Sequence, residues 1–161
     1  MKRIQLENRT DLKNEIPLDT PFSIFIDPTS FCNFKCKFCM NQYIDKKQKM
    51  AFDLYKKIID SLQDFENPIK TISLYGFGEH LLNMHFTKFV EYAKASSHLL
   101  YVDTTTNGSM LNHNLSRSLI NSGIDRINIS IEAMSSVKYK DFTGANINFY
   151  NLLLYLFETL L

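Results

Sequence analysis

Apolar segments typical of strands alternate along this chain with segments that have the apolar spacing of amphipathic helices. The predicted strands cover residues 22–27, 69–75, 99–105 and 125–131. Amphipathic helical spacing, with apolar residues on one face, covers about 52–62, 84–96 and 112–121. A short helical segment at 136–142 and a last helix at about 148–161 follow. The connections are too long for hairpins, so the alternation predicts an α/β fold with a parallel sheet and right-handed crossovers.

Each predicted strand ends in residues suited to ligand binding. The first strand leads to the cysteines, and the second leads to Gly76, Phe77, Gly78 and Glu79. The third ends in three threonines followed by Asn107 and Gly108, and the fourth ends in Ser130, Ile131 and Glu132. Parallel sheets bind their ligands at the carboxyl ends of the strands, so these four ends predict one shared site.

The fourth strand places Asn128, Ser130 and Glu132 on one face and three isoleucines on the other. A buried parallel strand is expected to be apolar on both faces, so its polar face needs a partner. Two explanations stay open at this point. Either a bound polar ligand covers this face, or the strand lies at the edge of the sheet with its polar face in water.

All three cysteines of the chain lie within eight residues, as Cys32, Cys36 and Cys39. A structural zinc site usually takes four ligands in two separated pairs, and the four histidines lie far from this group in the sequence. Most protein-bound 4Fe–4S clusters take four cysteines, so three cysteines favour a cluster with one iron left open. A zinc-binding loop remains the alternative.

The charge of the chain gives no reason to predict a nucleic-acid or anionic-membrane partner, because the net charge is +1 and the pI is about 7.7. The lysines that surround the cysteines are most simply a solvated loop, since no aromatic residues interleave with them. They are Lys35, Lys37, Lys46, Lys47 and Lys49.

Both ends of the chain carry expectations of their own. Residues 1–21 are polar and predict an N-terminal leader without a secretory signal, and with the clustered, odd number of cysteines they favour a cytoplasmic location. Residues 149–161 are apolar nearly all round. A helix of about 20 Å is too short for a membrane span of about 30 Å, so we expect its packing neighbours to be missing and the chain to be truncated.

From about residue 22 to residue 160 the sequence resembles the radical S-adenosylmethionine (SAM) superfamily. The resemblance lies in the cysteine motif with the aromatic Phe38 before its last cysteine, in Gly78 and Glu79 after strand two, and in residues 106–108 and 130–132. It is greatest to members with a C-terminal cysteine-rich (SPASM-type) domain. It implies a partial parallel (β/α) barrel in residues 22–161, with about four of the usual six βα units.

The resemblance also implies two cofactors, a 4Fe–4S cluster and S-adenosylmethionine. Cys32, Cys36 and Cys39 would hold the cluster. Glu79 would bind the methionyl ammonium, Ser130 would hold ribose or carboxylate, and the backbone of Phe38 would meet the adenine. The residues implied in cofactor binding are Phe38, Gly76, Gly78, Glu79, Thr106, Asn107, Ser130 and Glu132. His80 departs from the family pattern, which commonly has proline at this position.

The activity implied is reductive cleavage of S-adenosylmethionine to a 5′-deoxyadenosyl radical, which abstracts hydrogen from a substrate. A reducing partner such as flavodoxin or ferredoxin is implied, and the substrate is an unknown peptide or small metabolite. Two alternatives remain open: a non-catalytic remnant that binds cluster and SAM only, and a zinc-binding interaction module.

Overall fold

The fold is a single parallel sheet with helices in the connections. A computed structural model describes residues 11, 13 and 16–160. The sheet has four strands in the order β1-β2-β3-β4, and every neighbouring pair is parallel. The predicted α/β fold with four parallel strands is therefore confirmed. The strands are β1 Ser23–Phe25, β2 Thr71–Ser73, β3 Val102–Thr106 and β4 Arg126–Ile129.

Five α-helices follow the predicted pattern closely. The helices are α1 Phe52–Ser61, α2 Phe86–Lys94, α3 His113–Asn121, α4 Ser136–Thr143 and α5 Phe149–Leu160. Asn112 was predicted as the first residue of the third helix, and it is instead the N-cap, whose Oδ1 accepts from the Leu115 N–H at 3.0 Å. The predicted glycine stop is confirmed, because Gly123 follows α3 with a φ of 81°.

The strands are shorter than their apolar patterns predict. Ile69 still pairs with Leu99, but only as an isolated bridge before β2 begins at Thr71. Leu74, beyond the end of β2, is nevertheless fully buried. Apolar alternation therefore marks the buried stretch of chain, whereas regular strand pairing covers only the middle of it.

The main core lies between the sheet and helices α1 and α2. Ile72 and Val102 point from the strands into this layer, and Ile59 and Phe89 meet them from the helices. The buried Tyr55 hydroxyl donates to the Phe89 carbonyl at 3.0 Å, so burial does not leave it unpaired. This packing fixes the strand ends relative to one another.

The other face of the sheet is polar. The Asp103 carboxylate on β3 is 1% exposed and pairs with the Arg126 guanidinium on β4, whose pKa it raises. The strand order puts β4 at the edge of the sheet. Every residue of β4 is partly buried. An edge position among the described strands therefore fits its polar face, and a bound polar ligand stays the other explanation.

The predicted leader lies partly outside the described residues, since residues 1–10, 12, 14 and 15 are not among them. Residues 18–22 lie against residues 67–70 just before β2, where the Asn67 N–H donates to Thr20 Oγ1 at 3.2 Å. The proposed boundary between residues 21 and 22 stays a prediction.

Helix α5 is apolar on two sides, as its composition predicts. Leu152 and Leu156 are buried in the core, while Tyr150 and Phe157 are 69% and 63% exposed. None of the helices in the described part of the chain combines the length and the apolar character that crossing a bilayer requires.

Candidate functional site

One cavity of about 140 Å³ opens at the carboxyl ends of the strands. Phe34, Tyr75, Phe77 and Thr105 contribute to its lining together with every residue that the sequence predicts as a ligand. Those predicted residues are Cys32, Cys36, Phe38, Cys39, Gly76, Gly78, Glu79, Thr106, Asn107, Ser130 and Glu132. The structure thus brings the whole predicted set together, while the role of each residue stays a prediction.

The cysteine loop contributes three free thiols to this cavity. A second cavity, of about 370 Å³, shares Cys32, Cys36 and Cys39 with the first. The N–H of Phe34 donates to Cys32 Sγ, and the N–H of Asn41 donates to Cys39 Sγ, each at 3.4 Å. The bond from the Phe34 N–H favours the thiolate form of Cys32, which is the form that binds metal.

Burial acts on the thiols in the opposite direction. Desolvation raises the pKa of Cys32, and it raises the pKa of Cys36 to about 11. Without a cation the loop therefore holds these two groups as neutral thiols near neutral pH. Thiol ligands lose their protons when a metal binds, so this donor set fits a metal centre that supplies the positive charge itself.

The spacing of the side chains bears on the kind of metal centre. Among the described residues, no three His, Cys, Asp or Glu side chains come close enough together to hold one metal ion. In an iron–sulfur cluster each cysteine binds a different iron, so the thiolates need not converge on one point. The spacing of the three cysteines is thus compatible with a cluster.

Backbone and side-chain bonds hold the cysteine loop between α4 and the end of β3. The N–H groups of Lys35 and Lys37 donate to the carbonyls of Thr143 and Phe142 at 2.8 and 2.9 Å. On the other side, Asn107 Nδ2 donates to Asn33 Oδ1 at 3.0 Å. The loop is therefore placed by contacts with distant segments rather than by its own sequence.

Gly78 lets the loop after β2, residues 74–79 (the β2 loop), lie directly against the chain that leads into the cysteines. A Cβ atom at Gly78 would lie 1.7 Å from the Thr29 carbonyl oxygen and 2.8 Å from that of Phe31. The next residue uses this close approach, because the Glu79 N–H donates to the Phe31 carbonyl at 2.8 Å. Only a residue without a side chain fits here.

Glu79 is buried, with 2% of its surface exposed, and the chain itself satisfies most of its carboxylate. Oε1 accepts from the Leu81 N–H at 3.1 Å and from the Thr106 hydroxyl at 2.7 Å, and Oε2 accepts from the Asn107 N–H at 2.7 Å. A carboxylate has about four acceptor positions, so one is left for a ligand. Glu79 thus joins the ends of β2 and β3, which the sequence did not predict.

Replacement of Glu79 by Gln is expected to destabilise the fold, because an amide cannot accept from both backbone N–H groups. Either Leu81 or Asn107 loses its acceptor, and a buried unpaired N–H costs about 1–3 kcal/mol. Chemical denaturation of the variant measures this loss. Glu66→Gln is the matched control, since Glu66 is exposed. Equal stability of the two variants would contradict the structural role.

His80 is fully buried beside Glu79 and stacks on Phe86. Its Nε2 lies 3.0 Å from the Thr105 carbonyl, which only accepts, so Nε2 carries the proton. Nδ1 has no hydrogen-bond partner among the described residues and lies 3.9 Å from Asp27 Oδ1. Burial lowers the pKa of His80, so the ring is neutral at neutral pH and joins the β2 loop to β3.

The end of β4 leaves two polar side chains available in the cavity. The Tyr139 hydroxyl donates to the Ser130 carbonyl and accepts from the Glu132 N–H, each at 3.4 Å. These bonds fix the backbone, while the side chains of Ser130 and Glu132 have no hydrogen-bond partner within the part of the chain that the structure describes.

Asn41 is a residue of this site that the sequence did not reveal. Its Nδ2 donates to the Ser30 carbonyl at 2.7 Å and to the Phe77 carbonyl at 2.8 Å. The side chain therefore joins the cysteine loop to the β2 loop. Its position two residues after Cys39 was the available signal, but a lone asparagine in a polar loop is not distinctive.

The fold and the site together define a partial-barrel protein with three clustered free thiols beside a polar cavity. Comparison with known proteins identifies the family: the chain belongs to the radical SAM superfamily, whose sequence profile matches residues 26–156. Members of this superfamily are enzymes that bind a 4Fe–4S cluster and S-adenosylmethionine.

Individual relatives support the same assignment. A probable GTP 3′,8-cyclase of Metallosphaera sedula is 31% identical over 73% of this chain and 36% of its own length. BtrN, crystallised with AdoMet and 2-DOIA, is 25% identical with a TM-score of 0.62, over 76% of this chain and 50% of BtrN. The chain spans about a third to two fifths of the curated relatives it matches.

A SPASM-type member also shares the fold. SuiB of Streptococcus suis, crystallised with S-adenosylmethionine, has a TM-score of 0.61 over 92% of this chain and 32% of SuiB. Its sequence identity of 20% supports likeness of fold alone.

Proposed function

We propose that this chain provides the cluster- and cofactor-binding part of a radical SAM enzyme. The reaction is reductive cleavage of S-adenosylmethionine followed by hydrogen abstraction from a substrate, and the cluster supplies the electron when bound. The observation that carries the proposal is the convergence of three free thiols, the β2 loop and the end of β4 on one cavity.

Different residues of the chain would bind the cluster, bind the cofactor and position the binding groups. Cys32, Cys36 and Cys39 would hold the cluster. Gly78 lets the β2 loop pack against the backbone of Thr29 and Phe31, which positions Glu79, and the remaining acceptor position of Glu79 suits the ammonium of the cofactor. The free side chains of Ser130 and Glu132 suit its hydroxyl or charged groups.

The finer assignments are also part of this proposal. A flavodoxin or ferredoxin would supply electrons in the cytoplasm, and the substrate would be a peptide or a small metabolite. The GTP 3′,8-cyclase relative is named for a reaction of a small molecule. A structural neighbour, anSMEcpe, was crystallised with AdoMet and the Cp18Cys peptide. Both substrate classes therefore stay in the proposal.

Anaerobic reconstitution of the chain tests this function directly. We expect iron and sulfide in equal amounts, and we expect 5′-deoxyadenosine to form from S-adenosylmethionine only when dithionite is present. A chain that holds iron but never cleaves the cofactor would instead be the non-catalytic remnant. A chain that takes up zinc and no iron would be the zinc-binding module, and both parts of the proposal would fail.

A further inference from the structure

Lys47 differs from the solvated lysine that the sequence predicts. It is half-buried, and its ammonium donates to Asn41 Oδ1 at 2.5 Å and also to the Asn41 carbonyl. Its neighbour Lys46 is exposed and has no partner among the described residues. Lys47 therefore stands apart from the other charges of this loop.

The position of Lys47 places its charge beside the thiols. Lys47 lines the cavity of about 370 Å³ together with Cys32, Cys36 and Cys39. An ammonium group has three N–H donors, and two of them go to Asn41. The third has no acceptor in the part of the chain that the structure describes, so it is available to a group bound between the thiols.

Asn41 fixes this arrangement from several directions. Its amide donates to two carbonyls of neighbouring loops, and its backbone N–H donates to Cys39 Sγ. A lysine held by such an anchor cannot swing freely into solvent. Its charge also opposes the effects of burial and of Glu79 on the pKa of Cys32.

We propose that Lys47 is a positioning residue of the cysteine site, which holds a fixed positive charge and one available N–H at the cavity that the three cysteines line. In a partly buried site with a reduced dielectric constant, such a charge stabilises added negative charge. When the external reductant adds one electron to a cluster held by these cysteines, Lys47 therefore favours the reduced form and raises the midpoint potential. This second part depends on the proposed function.

The midpoint potential of the reconstituted protein tests the redox part. Lys47→Gln keeps a donor toward Asn41 without the charge, Lys47→Arg keeps the charge, and Lys46→Met is the control for a charge lost from the same loop. We expect a more negative potential for Lys47→Gln than for the wild type, and no shift for Lys46→Met. Equal potentials for Lys47→Gln and Lys46→Met would overturn the redox part of the proposal.

Alkylation of Cys32 in the metal-free chain tests the charge without any cluster. The rates at Cys32 are followed by peptide mass mapping with anionic iodoacetate and with neutral iodoacetamide, and their ratio cancels the thiolate fraction and reports the local charge. Loss of a nearby positive charge disfavours the anionic reagent, so we expect Lys47→Gln to lower the iodoacetate-to-iodoacetamide ratio roughly two- to fivefold. Lys46→Met and Lys47→Arg should react like the wild type. Thermal unfolding verifies that each variant is folded, and Lys47→Arg supplies the comparison if Lys47→Gln is not.

These two measurements separate the two hypotheses. A wild-type chain that takes up no iron would end the proposed function, while alkylation would still decide whether Lys47 acts on the thiols. An iodoacetate-to-iodoacetamide ratio at Cys32 that is the same in Lys47→Gln and Lys46→Met would overturn the inference about Lys47, whether or not the chain binds a cluster.

Discussion

Cys36→Ser is expected to abolish iron retention after reconstitution, while the metal-free chain remains folded. A serine hydroxyl does not ionise near neutral pH and is a poor ligand for iron in a cluster, so two thiolates would remain where three are needed. Among the described residues, the Cys36 thiol has a hydrogen bond only to its own backbone. The backbone bond from the Cys39 N–H to the Cys36 carbonyl, at 3.0 Å, does not require the sulfur.

Iron content and thermal unfolding of the same preparation measure the two halves of this expectation. Ser130→Ala is the control, because it changes a side chain of the same cavity without removing a thiol. That control should keep its iron. A Cys36→Ser chain with as much iron as the wild type would mean that Cys36 is not a ligand, and a chain that unfolds would mean that the thiol has a structural role.

The sequence predicts which residues line this site because the geometry of a parallel sheet determines where the strand ends lie. Strand ends that are distant in the sequence must meet at one edge, so polar residues after each strand converge without any knowledge of side-chain contacts. Cys32, Glu79, Asn107 and Ser130 reach one cavity for this reason. Helix periodicity predicts α1 to α3 equally well, because each has one buried face.

The contacts between loops could not be predicted in the same way. Asn41 donates to carbonyls of two other loops, and Lys47 donates to Asn41. Individual hydrogen bonds of this kind leave no periodic pattern in the sequence. Two lysines next to each other, Lys46 and Lys47, look identical in sequence, although one is exposed and the other is anchored. Burial and bonding of individual loop residues depend on which distant segment the loop meets.

A sequence motif also does not show whether a residue such as Glu79 binds a ligand or stabilises the fold. Glu79 has the position expected of a ligand-binding carboxylate, yet most of its acceptor positions are filled by Leu81, Thr106 and Asn107. The same residue can do both, because a carboxylate held by the ends of two strands is also held in place for a ligand. The loss of cofactor binding in a Glu79 variant must therefore be compared with its loss of stability.

Gly78→Ala is expected to cause the second large effect, on stability and cofactor binding together. The added methyl group would lie 1.7 Å from the Thr29 carbonyl oxygen and 2.6 Å from its carbon, and both atoms belong to the backbone. The β2 loop must move away, and the bond from the Glu79 N–H to the Phe31 carbonyl is lost with that movement. Overpacking and one lost hydrogen bond together cost about 2–4 kcal/mol.

Gly76→Ala is the graded comparison, because its new methyl group would meet the Asp27 side chain at 2.5 Å rather than a backbone carbonyl. Rotation of Asp27 can move its carboxylate away, at the loss of the bond that Oδ2 accepts from the Phe77 N–H at 2.8 Å. The contact of 2.7 Å with Asp27 Cβ requires a small shift of the backbone in addition. Denaturant unfolding should therefore rank Gly78→Ala as less stable than Gly76→Ala, and calorimetric titration with S-adenosylmethionine should show the larger loss of affinity for Gly78→Ala. The reverse ranking would mean that the β2 loop does not depend on its approach to Thr29, and the cofactor cavity would then need a different explanation for its shape.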